Sequence, residues 1–235
     1  MQALELAEVT VSYRDRGNPE LSIARLELGC GETMAVTGRT DFGNRAFHNV
    51  LAGFEKPTSG RVAWNGVDIA ALTAPRRDLW RARNMGFMSR ETNLFPGLSI
   101  LDNVLLPTGL SYRRGFGFWI GSADLRKRAI MLVERVGLME PGRLVDGLTR
   151  DERRRVALAR MLLKRPGILL VDDPTGDLGP HAAEAIGDLL LTLAREDGAT
   201  LVAFTDDERL ISHAQCVVPL RAGRVLSDGL VEMAS

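Results

Sequence analysis

The amino-acid sequence predicts an α/β protein in which helices flank a mainly parallel sheet, with an antiparallel β layer near the N-terminus and a helical segment inserted midway. Three stretches carry that prediction. Residues 34–53 read as a short apolar strand, a glycine-punctuated loop and a helix closed by Gly53. The uninterrupted apolar run Ile168-Leu169-Leu170-Val171 ends in Asp172-Asp173-Pro174, as a strand buried on both faces does. From Glu91 onward helical periodicity dominates, interrupted by the aromatic, glycine-rich residues 112–121.

Taken in order, residues 4–13 alternate apolar and polar side chains like a half-buried strand, and residues 21–28 do so more loosely. Gly29-Cys30-Gly31 turns the chain into the strand of the 34–53 unit. Beyond it, Pro57-Thr58-Ser59-Gly60 makes a turn. Residues 62–69 read as a hairpin because Asn65-Gly66 supplies the positive φ angles of a type I′ turn, and Trp64 is assigned to packing. Residues 72–90 hold a helix with Arg76, Arg77, Arg81 and Arg83, read as a solvated face, followed by a short strand at 85–88. Thr149-Arg150-Asp151-Glu152 fits a capping box that opens a helix running to about Lys164. Pro180 opens an amphipathic helix with Ala182, Ala185, Ile186, Leu189, Leu190 and Leu193 on one face, closed by Gly198. A buried strand at 201–204 follows, and residues 217–220 and 224–226, joined through Gly223, finish the sheet.

Composition narrows the function. At 235 residues the chain supports a substantial core. Its 30 basic and 30 acidic residues balance, so no global field points to nucleic acid. Cys30 and Cys216 stand far apart without metal-ligand neighbours, and are expected buried and reduced, as in a cytoplasmic protein. His48, His181 and His213 show no metal or base pattern. No apolar run approaches the roughly 18 residues of a membrane helix, and the N-terminus lacks a signal pattern, so membrane association is expected to run through partners.

The 34–53 unit has the frame of a phosphate-binding loop. In such loops two glycines five positions apart let backbone N–H groups curl around an anion; a Lys then clamps the terminal phosphates and a Ser or Thr hydroxyl holds Mg²⁺. Gly38 and Gly43 keep the spacing, but Asn44 and Arg45 follow. No Lys lies between Gly31 and Leu51.

The order of these segments resembles the nucleotide-binding domain of ABC transporters over nearly the whole chain. The likeness is carried by Leu51-Ala52-Gly53 with Pro57-Thr58-Ser59-Gly60, by Asn65-Gly66, by Arg155-Val156-Ala157-Leu158-Ala159-Arg160, and by Leu169 to Gly176. Residues 94–99 and Arg113-Arg114-Gly115 look more like the second ATPase half of sugar and nucleoside importers. The resemblance implies a RecA-like P-loop NTPase core with an N-terminal antiparallel β subdomain. The chain would be a single domain over 1–235, with 1–90 and 157–235 forming the core and β layer and 91–156 an inserted helical subdomain.

The resemblance also assigns the site. Tyr13 would stack on a purine, although an aromatic at a strand end reads equally well as packing. Gly38, Thr40, Gly43, Asn44, Arg45 and Ala46 would form the phosphate loop, and Asp172 the Mg²⁺-side carboxylate. In this family two domains face each other and ATP lies between one loop and the other's signature motif, here Thr149, Arg150, Asp151 and Glu152. Measured against that pattern, the polar catalytic positions have changed. The loop Lys is Asn44, the Mg²⁺-binding hydroxyl is Arg45, a loop glycine is Asp41, and the γ-phosphate-sensing Gln is Arg90. Arg150 and Asp151 stand for the signature glycines, Asp173 for the general-base Glu, Asp206 for the switch His, and Gly179 for the D-loop Asp.

Caps, turn glycines and apolar strands survive where catalytic groups do not, so the expectation is a retained fold with abandoned hydrolysis: a degenerate ATP-binding subunit. It would dock on a membrane-spanning transporter subunit and pair with another nucleotide-binding domain, as homo- or heterodimer, without nucleic acid. Its expected place is cytoplasmic, peripheral on the inner face of the plasma membrane. ATP with Mg²⁺ is the family's ligand, but the altered positions argue against it and no cofactor is assigned. Alternatives are a weak ATPase using Arg45 or Arg39 in place of the Lys, and a scaffold without a transport role. Phe116, Phe118 and Trp119, with Ile120, are read either as the contact to the membrane subunit or as packing on their own lobe. An ionised, unpaired Asp172 in a metal-free cleft is costly. An Arg45–Asp172 ion pair is therefore expected, with Asp173 or Asp41 as second acceptor; the alternative leaves Arg45 in solvent.

Overall fold

The computed structural model describes residues 2–13, 19–38, 42–109, 123–225 and 231–232. Its N-terminal layer is antiparallel: β1 (Gln2–Val11) pairs on one side with β2 (Leu21–Gly29) and on the other with β4 (Ser59–Trp64), which folds back onto β5 (Val67–Asp68). The reversal between β4 and β5 is the Asn65-Gly66 turn, with φ of 48° and 77°. Trp64 fills the interior beneath it, fully buried, and its indole N–H donates to the Leu51 carbonyl at 3.0 Å.

The parallel sheet runs β9 (Cys216–Arg221), β3 (Thr33–Thr37), β8 (Thr200–Phe204), β7 (Ile168–Asp172), β6 (Met85–Met88). Every residue of β8 is buried and β7 is buried up to Asp172, the pattern that their continuous apolar sequences predict. β10 (Arg224–Val225) joins the layers, antiparallel to β9 and parallel to β2. The short β11 (Val231–Glu232), which has no sequence signal, also pairs with β9.

One face of the sheet packs α1 (Phe42–Leu51) and the β layer around Phe47, Val50, Leu51 and Trp64. The other packs α5 (Arg150–Leu162) and α6 (Pro180–Glu196), and this core continues without a break into α3 (Ile100–Gly109) and α4 (Ala123–Arg135). The short α7 (Glu208–Ser212), unforeseen in the sequence, sends Leu210 into the same cluster. Among the described residues no helix is long and apolar enough to cross a membrane.

Two expectations need correction here. The arginines of α2 (Ala74–Asn84) are not simply a solvated face. α1 ends in a Schellman motif, with Phe54 N–H donating to Asn49 O and Gly53 N–H to Val50 O. The remaining carbonyls at that negative helix end attract α2: Arg77, 9% exposed, donates to Gly53 O at 2.8 Å and Leu72 O at 3.2 Å, and Arg81 donates to Gly53 O at 3.0 Å while stacking over Phe54. Nor are both cysteines buried. Cys30 is exposed because it occupies the turn between β2 and β3, and Cys216 is half-buried at the start of β9.

Candidate functional site

A cleft of about 760 Å³ opens where β3, β7 and β8 end, lined by Gly38, Asn44, Arg45, His48, Arg90, Asp172, Asp173 and Asp206 among others. β3 delivers Gly38, whose φ is +127° and whose backbone passes so close to β9 that a Cβ there would sit 2.2 Å from the Leu220 carbonyl oxygen. The first turn of α1 then supplies the residues at the loop's end. Gly43 and Ala46 are buried. Asn44, 8% exposed, folds back so that its Nδ2 donates to Gly38 O at 3.0 Å. A Lys at that position would reach outward with a charge; Asn44 closes the loop on itself.

The expected Arg45–Asp172 pair does not form. Among the described residues Arg45 makes no ion pair with Asp172 or Asp173. Helical period explains this: positions 43, 44, 46, 47 and 50 of α1 face inward, leaving Arg45 exposed at the rim. Its charge is felt instead at Tyr13. The phenol of Tyr13 donates to Glu55 Oε2 at 2.9 Å, and burial, followed by this carboxylate, pushes its pKa up to about 12.

The cleft is instead bridged by Arg90, which the resemblance set at the γ-phosphate-sensing position. Arg90 Nε stands 3.3 Å from Asp173 Oδ2, with Nη2 3.9 Å from Asp177. Asp173 has φ +45° and its N–H donates to Phe204 O at 2.8 Å. This curl tucks its carboxylate against the following turn, within 2.0 Å of where a Cβ on Gly176 would be, so a side chain at 176 would push the Asp173 carboxylate aside. Burial raises the Asp173 pKa, against the lowering effect of Arg90. Asp172 is half-buried at the end of β7. Burial lowers the pKa of neighbouring His48, which Asp172 partly offsets.

Asp206, which the resemblance set at the switch position, accepts the Gly38 N–H at 3.0 Å. The loop carrying it is held firmly: Thr205 N–H donates to Val36 O, Thr175 Oγ1 donates to Asp207 Oδ2 at 2.7 Å, and Asp207 caps α7 by accepting from Arg209 N–H. At the signature position both halves of the capping box are present, with Thr149 N–H donating to Glu152 Oε2 at 2.8 Å. Thr149 Oγ1 also donates to Asp151 at 2.6 Å, and Arg150 donates to the Asp177 carbonyl at 3.3 Å. The Thr149 N–H, and then Arg143, hold the Glu152 carboxyl below its ordinary value despite burial.

Thr40, Asp41, Phe116, Phe118, Trp119 and Ile120 lie outside the described residues. The sequence reading missed Glu55 behind Tyr13, Thr175 bound to Asp207, and the buried Arg154; none carries a local pattern, because each partnership spans 32 residues or more.

Whether these residues fit a magnesium nucleotide can be judged from the loop. Its first amide faces a carboxylate, the clamping cation is replaced by an amide turned inward, and Asp172, Asp173 and Asp206 gather at the mouth. A polyphosphate would meet these carboxylates beside the N–H donors and positive charge it needs; residues 39–41 of the loop lie outside the described residues, and no catalytic step is drawn through such a ligand.

The loop-strand-helix core with its helical lobe defines a P-loop NTPase fold. The chain belongs to the ABC transporter family, whose sequence profile, described as ABC transporter, matches residues 21–176. It is 36% identical to the lipoprotein-releasing system ATP-binding protein LolD 1 of Rhodopirellula baltica over 206 residues, covering 86% of each chain. It is 34% identical over 200 residues to an uncharacterized ABC transporter ATP-binding protein of Mycobacterium tuberculosis, covering 83% of this chain and 77% of that one. Against the macrolide export ATP-binding/permease protein MacB of Syntrophobacter fumaroxidans it is 31% identical and spans only 32% of that protein's length. Its backbone resembles a solved dimeric ATP-binding cassette in a post-hydrolysis state bound to ADP and Pi, with a TM-score of 0.80 and 29% identity over 94% of this chain and 96% of that one.

Proposed function

We propose that this chain is a transporter cassette subunit that no longer hydrolyses ATP, docking on a membrane-spanning subunit and pairing with another nucleotide-binding domain at the inner face of the membrane. The observation that carries this reading is the Arg90–Asp173 contact, 3.3 Å. It joins the position that should sense the γ-phosphate to the position that should act as general base, leaving neither available. The cassette then serves as a structural half of its transporter. Kinship to proteins named as ATP-binding parts of releasing and export systems supports the docking role. Phe116, Phe118 and Trp119 are the contact proposed for the membrane subunit on sequence grounds.

Phosphate release by the purified chain, with and without Mg²⁺, tests the reading; the expected rate equals that of a heat-treated control. Release above control that Asp172→Ala abolishes would establish a working ATPase instead. Co-purification with a membrane-spanning subunit separates a transport role from a free scaffold. Replacing Phe118 and Trp119 with Ser should release the folded protein from membranes.

A further inference from the structure

α4 meets the rest of the molecule through arginines seated at helix ends. Arg128 Nε donates to Leu163 O at 2.9 Å and its Nη2 to Leu162 O at 3.1 Å, so α4 caps the C-terminal carbonyls of α5. In return, Arg155 of α5 donates to Val136 O at 2.8 Å, at the end of α4, where Leu138 N–H bonds to Val133 O and Gly137 N–H to Glu134 O. The third is Arg135, in the last turn of α4. Its Nη2 stands 2.5 Å from Glu196 Oε2 and its Nη1 3.0 Å from Asp197 Oδ1. Beneath these contacts Ala129, Leu132 and Val133 share one apolar cluster with Leu162 of α5 and Leu190 of α6.

The chemistry at the end of α6 singles out Arg135. Glu196 closes α6 and Asp197 is its C-cap, so two carboxylates sit at the negative pole of the helix, where the last carbonyls repel them. α6 carries a cation of its own in that turn, Arg195, which among the described residues makes no ion pair with either carboxylate. The compensating charge therefore comes from another helix. Burial lowers the Arg135 pKa, yet the bonds to Glu196 and Asp197 together lift it above its ordinary value. With side-chain exposures of 30% for Arg135 and 23% for Asp197, the contact is shielded enough from water to carry weight and open enough to be screened by salt.

We propose that Arg135 is an ionic latch that fixes the helical lobe to α6, so that α4, α5 and α6 move as one body and the lobe does not swing against the sheet. A load placed on α4 by a docked partner would pass through Arg135 to α6 and to the turn after β7 that leads into it. The latch holds whether or not the loop cleft hydrolyses ATP.

Hydrogen–deuterium exchange of the full chain, read by mass spectrometry on α4 against α6, tests it. In the parent at low salt the slowest amides of both helices should exchange at one common rate, as parts of a single opening unit. Arg135→Gln should speed α4 about fivefold relative to α6. Sodium chloride at about 1 M should do the same to the parent and nothing further to the variant. Arg195→Gln, which removes an exposed cation from the same turn of α6, should leave the ratio unchanged. The salt measurement needs no substitution, so it decides even where Arg135→Gln fails to fold. The proposal is overturned if α4 already exchanges faster than α6 in the parent at low salt, or if salt leaves the parent's ratio unchanged. It is equally overturned if a folded Arg135→Gln keeps that ratio, or if Arg195→Gln moves it as far.

Discussion

The Asp206 carboxylate accepts the Gly38 amide hydrogen at 3.0 Å, so the first N–H of the loop is turned to a side chain from beyond β8 rather than into an open anion cradle. A carboxylate and a phosphate cannot share that donor. Asp206→Ala should therefore raise affinity for a fluorescent nucleotide while lowering the melting temperature modestly, because the bond is solvent-exposed. No change in either reading would show that the contact carries no weight.

Arg77 and Arg76 occupy adjacent positions in α2 but opposite environments, the first against the end of α1 and the second in solvent. Arg77→Ala should cost about 2 kcal/mol in chemical denaturation, since a charged donor to two buried carbonyls is lost. Arg76→Ala should change stability by under about 0.5 kcal/mol. Equal effects would refute the assignment of Arg77 as a helix-end cap.

Glu152 provides an acid-limb signature. Its folded pKa lies below its ordinary 4.5, so the stability it contributes is fully present above that value and is lost as pH falls through the folded value. Melting temperature measured across that range should fall less steeply in Glu152→Gln than in the parent. Thr149→Ala, which removes the other half of the box, should cost about 1 kcal/mol near neutrality.

At the alkaline end, Tyr13 ionises only at about 12. Its neutral form is the one the fold favours, so stability is unaffected below the ordinary value of 10.0 and declines as pH rises from there toward 12. Glu55→Gln should move the Tyr13 midpoint, followed by phenolate absorbance, downward without restoring the ordinary value, because burial is the larger cause.

How much of this was legible beforehand divides along a physical line. The capping box at Thr149, the Asn65-Gly66 turn, the buried β7 and β8 and the Gly38–Gly43 frame are local patterns, fixed by residues a few positions apart. Which cation meets which carboxylate was not legible. Arg45 lies one residue from Asn44, yet the helical period sends one inward and leaves the other at the rim, while Arg90 reaches Asp173 across strand ends that only the folded sheet brings together. The burial of Arg77 likewise depends on where α2 crosses the end of α1, and no count of charges contains that.

The splice made by β10 bears on how the molecule yields under load. The antiparallel layer and the parallel sheet share one backbone seam among the described residues: Arg224 beside Ser22, with the Ser22 N–H bonded to Gly223 O at 2.8 Å, and Arg224 and Val225 against β9. So short a ladder bears little shear. Cohesion between the layers rests instead on side chains such as Phe47, Trp64 and Leu220, which the two sides hold in common. Pulled apart, the layers would unzip at β10 first and then resist, and amide hydrogens at the seam would exchange with solvent long before those of β8.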